Sequence, residues 1–191
     1  ADTLAALYNP QLAVWAHAPA ANEFEHYILH EFTKLLGLPE DTTLATFTSG
    51  GSEANFSALI SALVHQFPEV AEAGLAGLDV KPAIYVTGET HHSFVRIARS
   101  TGLGSNTLRT VPTNEKFVID VQALEEQIDA DIANGWQPFM IIGTAGTTSA
   151  GMVDPLPELS RIAIDNNAWF HVDGAWGASA VLSPRLKPEL A

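Results

Sequence analysis

Residues 143–177 read GTAGTTSAGMVDPLPELSRIAIDNNAWFHVDGAWG, and the fold is decided in them. The stretch parses as a strand, a Gly/Thr turn, a helix opened by Pro155 and Pro157 and running to about Asn166, and a second strand, Trp169-Phe170-His171-Val172, that stops on Asp173. The first strand, residues 139–143, is an unbroken apolar run, as expected for a strand buried on both faces. An apolar strand ending on a carboxylate, with Gly174 and Ala175 next, brings that carboxylate to the rim of the sheet. A cationic partner must then offset its partial burial.

Upstream, residues 107–111 form a strand, and Asp120 caps a helix to about Asn134. Its Val121, Leu124, Ile128 and Ile132 face inward, and Glu125, Glu126, Asp129 and Asp131 form a solvated face. Residues 83–87 form another strand, followed by the loop Gly88-Glu89-Thr90-His91-His92 and a helix over residues 93–101. Residues 68–80 are an Ala/Gly-rich acidic connection, exposed and mobile. Residues 44–48 form a short strand that feeds a helix over residues 52–67, with Leu59, Ile60, Leu63 and Val64 as its core stripe. Asn22 caps a helix carrying Phe24, Ile28, Phe32 and Leu35 at helical spacing until Gly37 stops it. Residues 1–21 are punctuated by Pro and Ala, and read as loop with one short helical turn near Leu4. The alternation of strand and helix predicts an α/β fold, a mostly parallel sheet with helices on both faces and right-handed crossovers. The organisation is an N-terminal loop segment, residues 1–21, and a single domain over residues 22–191 with no linker.

Composition narrows the classes of function. Lys+Arg 9 against Asp+Glu 22 gives 9 − 22 = −13, which disfavours nucleic acid and anionic membranes as partners and leaves any anionic ligand to local dipoles. Cysteine is absent, which excludes disulfides and thiolate metal sites and fits a reducing compartment. No apolar run approaches a membrane span and the first ten residues, ADTLAALYNP, lack the pattern of a signal peptide, so a soluble cytoplasmic protein is expected. His26 and His30 stand at i and i+4, but the order Glu25-His26 and His30-Glu31 is not HExxH, and no metal is assigned.

The candidate ligand groups all follow predicted strand ends: Gly50-Gly51-Ser52 at a helix start, His91-His92 in a loop, Thr147-Thr148 in a turn, and Asp173. Two glycines let a ligand approach the backbone where the first helical N–H groups are free, a place for a phosphate. A flat ring suits a histidine face, and a protonated ring nitrogen suits Asp173. Pyridoxal 5'-phosphate has all of these parts.

The motifs WAHAPAANEFE, TSGGSEAN, THHSFVRIA, GTAGTTSAGMVDP and HVDGAWG occur in that order. In them the chain resembles the group II pyridoxal-phosphate-dependent amino-acid decarboxylases, the aromatic-amino-acid, histidine and glutamate decarboxylases. The resemblance implies the front part of the large domain of a fold-type-I enzyme that decarboxylates an L-amino acid. It implies Gly51 and Ser52 as phosphate contacts, His92 as the catalytic imidazole on the ring face, Thr148 beside the ring, Asp173 as partner of the ring nitrogen and Ala175 against the opposite face. It further implies a homodimer in which residues 11–15 help line the neighbouring subunit's substrate pocket. Such enzymes hold the coenzyme covalently on a lysine preceded by His, beyond the strand-end Asp. Lys34, Lys81, Lys116 and Lys187 do not fit that pattern, so a chain truncated before its lysine, and lacking residues before Ala1, is expected. Other readings are another fold-type-I lyase or an aminotransferase, a hydrolase on Ser93, His92 and Asp173, and a non-catalytic binding or dimerising piece.

Overall fold

The computed structural model describes residues 2–8 and 11–190, so the part of the N-terminal loop expectation that falls on Ala1, Asn9 and Pro10 lies outside the described residues. The chain divides into two compact units, Ala1–Phe47 and Thr48–Ala191. In the first, helix α1 (Asp2–Tyr8) takes the place of a single turn near Leu4, and helix α2 spans Pro19–Leu36. Proline at the first turn starts α2 ahead of Asn22, because its fixed φ suits the helix and its missing N–H costs nothing there. Asn22 is therefore no cap; its amide donates back to the carbonyls of Ala18 (3.0 Å) and Leu12 (3.3 Å). Gly37 ends α2 in the left-handed conformation, φ 72°. The strand expected over residues 44–48 does not form, and Leu44 is almost wholly exposed. Five residues of strand propensity make no strand without a neighbour to pair with.

The second unit runs α3 (Gly51–Gln66), α4 (Val70–Ala73), β1 (Lys81–Val86), α5 (Ser93–Ser100), β2 (Leu108–Thr110), α6 (Val121–Ala133), β3 (Trp136–Thr144), α7 (Leu156–Asp165) and β4 (Trp169–Asp173). The four strands are parallel, in the order β2-β1-β3-β4. The α/β fold with a parallel sheet and helices on both faces is thus as the sequence predicts. After β2 the chain returns past β1 and continues on its other side, so the order reverses between β1 and β3. With crossovers of one hand, that reversal puts α5 on one face and α6 and α7 on the other.

The side chains obey this arrangement. Ile84 and Val86 of β1 pack with Leu59 and Leu63 of α3 and Phe94 and Ile97 of α5, whereas Ala83 and Tyr85 pack with Leu124 and Ile128 of α6 and Leu159 and Ile162 of α7. Residues 68–80 are mostly exposed, as expected, but have regular structure. They form α4 and a 3-10 turn, Gly74–Gly77, and Val70, Leu75 and Leu78 pack against the core. Asp131 is likewise not on a solvated face. It lies seven residues after Leu124 and three after Ile128, on the same helical stripe as both, and is buried. Arg109 meets it bidentately, at 2.6 and 3.0 Å, while lying over the Trp136 ring at 4.8 Å. Ile132, expected inside, is about half exposed at the edge of that stripe. Among the described residues, no helix is long and apolar enough to cross a membrane.

Candidate active site

Reversal of strand order between β1 and β3 opens a crevice at their C-terminal ends, and the loops that follow them meet there. The loop after β1 is tied to itself: Thr87 N–H donates to Thr90 Oγ1 (2.9 Å) and Glu89 N–H to Thr87 Oγ1 (3.2 Å). The loop after β3 is as tight, with the N–H groups of Gly146 and Thr147 both donating to the Met152 carbonyl. At its base the buried Asp154 carboxylate accepts from the N–H groups of Thr144 and Ile119, each at 2.8 Å. Burial pushes the Asp154 pKa above the ordinary carboxylate range, and those two hydrogen bonds pull it back in part.

The crevice holds a cavity of about 300 Å³, walled by Gly51, Ser52 and Asn55 of α3, Thr144, Gly146 and Thr148 from the end of β3 and its loop, and Asp173, Ala175 and Trp176 from the end of β4. Glu89 and His91 complete the wall. A larger, more apolar cavity of about 900 Å³, with Met152, Leu182 and Leu186 in its walls, adjoins it through Gly146 and Trp176. At the start of α3 the N–H groups of Gly51 and Ser52 have no partner among the described residues, since Gly50 O takes those of Glu53 and Ala54. That leaves two donors and the positive end of a sixteen-residue helix at the cavity. A Cβ at position 51 would lie 2.8 Å from the Ala175 Cβ, so the helix start and the β4 loop come this close because residue 51 is glycine.

Asp173 is buried and held from two sides. Its Oδ2 accepts from Asn55 Nδ2 at 2.8 Å and its Oδ1 from the Ala175 N–H at 3.2 Å. Asn55 Nδ2 also reaches Ser93 Oγ (3.1 Å), and Asn55 Oδ1 pairs with His171 Nε2 (3.0 Å). His171, edge-on to Phe94, is pushed below its ordinary pKa by burial, which Asp173 partly offsets. Ser93 and its neighbour His91 close the network: His91 Nδ1 lies 2.9 Å from Ser93 Oγ and accepts from the Ser93 N–H at 3.2 Å.

Of the residues singled out from sequence, Gly51, Ser52, Thr148, Asp173 and Ala175 share the cavity wall. His92 does not. It lines a neighbouring pocket of about 170 Å³ with Val95 and Thr110, whereas His91 lines both that pocket and the cavity wall. Adjacent loop residues point in different directions, and the Ser93 hydrogen bonds select which imidazole turns in. The sequence reading gave no role to Asn55, Glu89, Thr144, Gly146, His171 or Trp176. For Asn55 a signal existed, since it stands four residues before Leu59 on the stripe that continues to Ala62 and Leu63, an amide on a core face. A Ser-His-Asp relay is absent, because Asp173 accepts from Asn55 and Ala175 rather than from a histidine. Among the described residues, no Lys or Arg lines the cavity.

The family model described as "Pyridoxal-dependent decarboxylase conserved domain" matches residues 1–191. Tryptophan decarboxylase 2 of Oryza sativa subsp. japonica is 33% identical over 194 residues, covering 99% of this chain and 39% of that protein. Among solved structures, mouse CSAD in its apo form is similar with a TM-score of 0.93 at 30% identity, over 99% of this chain and 39% of that one. Oryza sativa TDC with PLP and tryptamine gives a TM-score of 0.86 at 30% identity, over 99% of this chain and 42% of that one. The chain spans about two fifths of the length of the relatives it matches.

Proposed function

The chain belongs to the pyridoxal-dependent decarboxylase family, and from that premise we propose that its cavity binds pyridoxal 5'-phosphate and that the complete protein decarboxylates an L-amino acid to an amine and carbon dioxide. The observation that carries this reading is the spacing on α3. Ser52, at the anion-ready helix start, and Asn55, which grips Asp173 at 2.8 Å, are three residues apart, about 4.5 Å along the axis. An anion-ready helix start and a fixed carboxylate lining one cavity of about 300 Å³ suit the phosphate and the ring nitrogen of one small molecule.

When bound, the protonated pyridine ring of the coenzyme accepts the electron pair released as the bond from Cα to the carboxylate breaks. The Asp173 carboxylate, held by Asn55, would keep the ring nitrogen protonated. Gly51 and Ser52 would hold the phosphate through N–H donors and the helix dipole, and this matters because among the described residues no Lys or Arg lines the cavity. His91, in place of His92, would face the ring, with Thr148 beside it and Ala175 at the opposite face, since all three line the cavity. By holding the ring these residues would favour loss of the carboxylate over loss of the α-proton. Among the described residues no lysine lines the cavity, so a covalent hold on the coenzyme would need a lysine brought in from elsewhere.

The same reading places the protein in the cytoplasm as a homodimer. Leu12, Val14 and Trp15, each about half exposed in their own unit, are the side chains offered to the partner's substrate pocket. The test is coenzyme binding followed by absorbance, together with product analysis, on the complete protein and on Asp173→Ala. The expected result is binding and carbon dioxide release in the parent, and both lost or weakened at least ~100-fold in the variant, the scale of removing a preorganised charged group. Formation of a keto acid without carbon dioxide would overturn decarboxylation in favour of amino transfer.

A further inference from the structure

Asn55 is enclosed and commits its whole side chain to three neighbours: Asp173, Ser93 and His171. The carboxylate fixes the direction of every bond. A carboxylate only accepts, so the Asn55 atom facing Asp173 at 2.8 Å is the amide nitrogen. The amide oxygen must then face His171, and for a bond to form His171 carries its hydrogen on Nε2. The second amide hydrogen goes to Ser93 Oγ. That hydroxyl, having accepted, keeps its own hydrogen to give, and His91 Nδ1 is 2.9 Å away. Because the Ser93 N–H donates to the same nitrogen, His91 Nδ1 has no room for a hydrogen and Nε2 carries it. Turning the amide over would set oxygen against carboxylate and leave His171 Nε2–H without an acceptor.

We propose that Asn55 is the positioning residue of this site: a single amide holds the Asp173 carboxylate in place and, through Ser93, fixes the tautomer and orientation of His91. The network closes among the chain's own side chains; its catalytic consequence rests on the coenzyme reading above. Asn55 acts through other side chains. It aims the carboxylate at a ring nitrogen and makes the cavity-facing imidazole an Nε2–H donor. His171, behind the wall, anchors the amide oxygen and so stops the amide from turning over.

The test is long-range proton–nitrogen NMR of the full-length protein labelled with ¹⁵N-histidine, recorded without coenzyme, with signals assigned by His91→Gln and His171→Gln. In the parent, His91 and His171 are both expected as Nε2–H tautomers. Ser93→Ala is expected to disturb His91 alone, whereas Asn55→Ala and Asn55→Asp disturb both. Coenzyme affinity in the Asn55 variants is expected to fall ~10–100-fold, the usual cost of removing a group that orients a ligand-contacting one, with the accompanying loss of kcat/KM carried mainly by kcat. A parent His91 protonated on Nδ1, or an Asn55→Ala protein with both imidazoles and the coenzyme affinity unchanged, would overturn the proposal. Should the Asn55 variants not fold, Ser93→Ala decides: a His91 signal that does not move refutes the relay. Tautomers as stated in a parent that binds no coenzyme would leave the network standing and remove the proposed function instead.

Discussion

Burial pushes the His171 imidazole below its ordinary pKa, with Asp173 pulling weakly the other way. The folded value thus lies below the unfolded value of about 6.5. The neutral ring adds stability that is complete above about pH 6.5 and is lost as pH falls through the folded value, because the unfolded chain takes up a proton that the folded one resists. Each proton of difference corresponds to about 1.4 kcal/mol per pH unit. Replacing the ring by glutamine, whose amide N–H can still donate to Asn55 Oδ1, removes the titration while keeping the hydrogen bond. Urea unfolding of His171→Gln between pH 5 and 7 is expected to show a flatter decline in stability on acidification than the parent, by up to one proton. A parallel decline in both would mean that His171 does not titrate with folding.

At the scale of elements, the Arg109–Asp131 pair joins β2 to α6 on one edge of the sheet, and only the carboxylate is fully enclosed. Asp131→Ala leaves Arg109 partly able to turn to water, so the loss is expected at about 2–3 kcal/mol, below the ~3–5 kcal/mol of a wholly buried pair. Thermal or urea unfolding measures it, and a loss under ~1 kcal/mol would class the pair with surface bridges. Elements with a strong internal period are legible in the amino-acid sequence: β4 ends on Asp173 as its apolar run predicts, and α6 starts after its Asp120 cap, whose carboxylate accepts from the Ala123 N–H. What the sequence does not reveal depends on contacts between distant residues. Residues 44–48 have strand-like composition but no partner strand. Asp131 carries a surface residue's charge on a core residue's angular position. His91 and His92 differ only in which one Ser93 holds, and a loop has no period to tell them apart. The cavity wall is legible at Gly51, Ser52, Thr148, Asp173 and Ala175 because those positions begin a helix, end a strand or lie in the loop just after one, where backbone geometry alone points toward a ligand.

For the molecule as a whole, a formal charge of −13 repels polyanions, and yet the proposed ligand is itself an anion. Its binding must rely on fixed local donors, as at the start of α3. The sheet of the Thr48–Ala191 unit has two edges, β2 with three residues and β4 with five. Short edges resist pairing with other chains; β4 is longer and half-exposes Val172. Sedimentation velocity of the 191-residue chain is expected to show concentration-dependent association beyond a dimer, reduced in Val172→Lys. Equal association in parent and variant would place the contact elsewhere. The indole of Trp176, mostly exposed and set in the wall shared by the two cavities, has an optical consequence. A chromophore arriving beside Asp173 would sit within energy-transfer range of that indole, so its emission should dim in step with occupancy. The fold thereby carries its own fluorescent gauge of whether the crevice is filled.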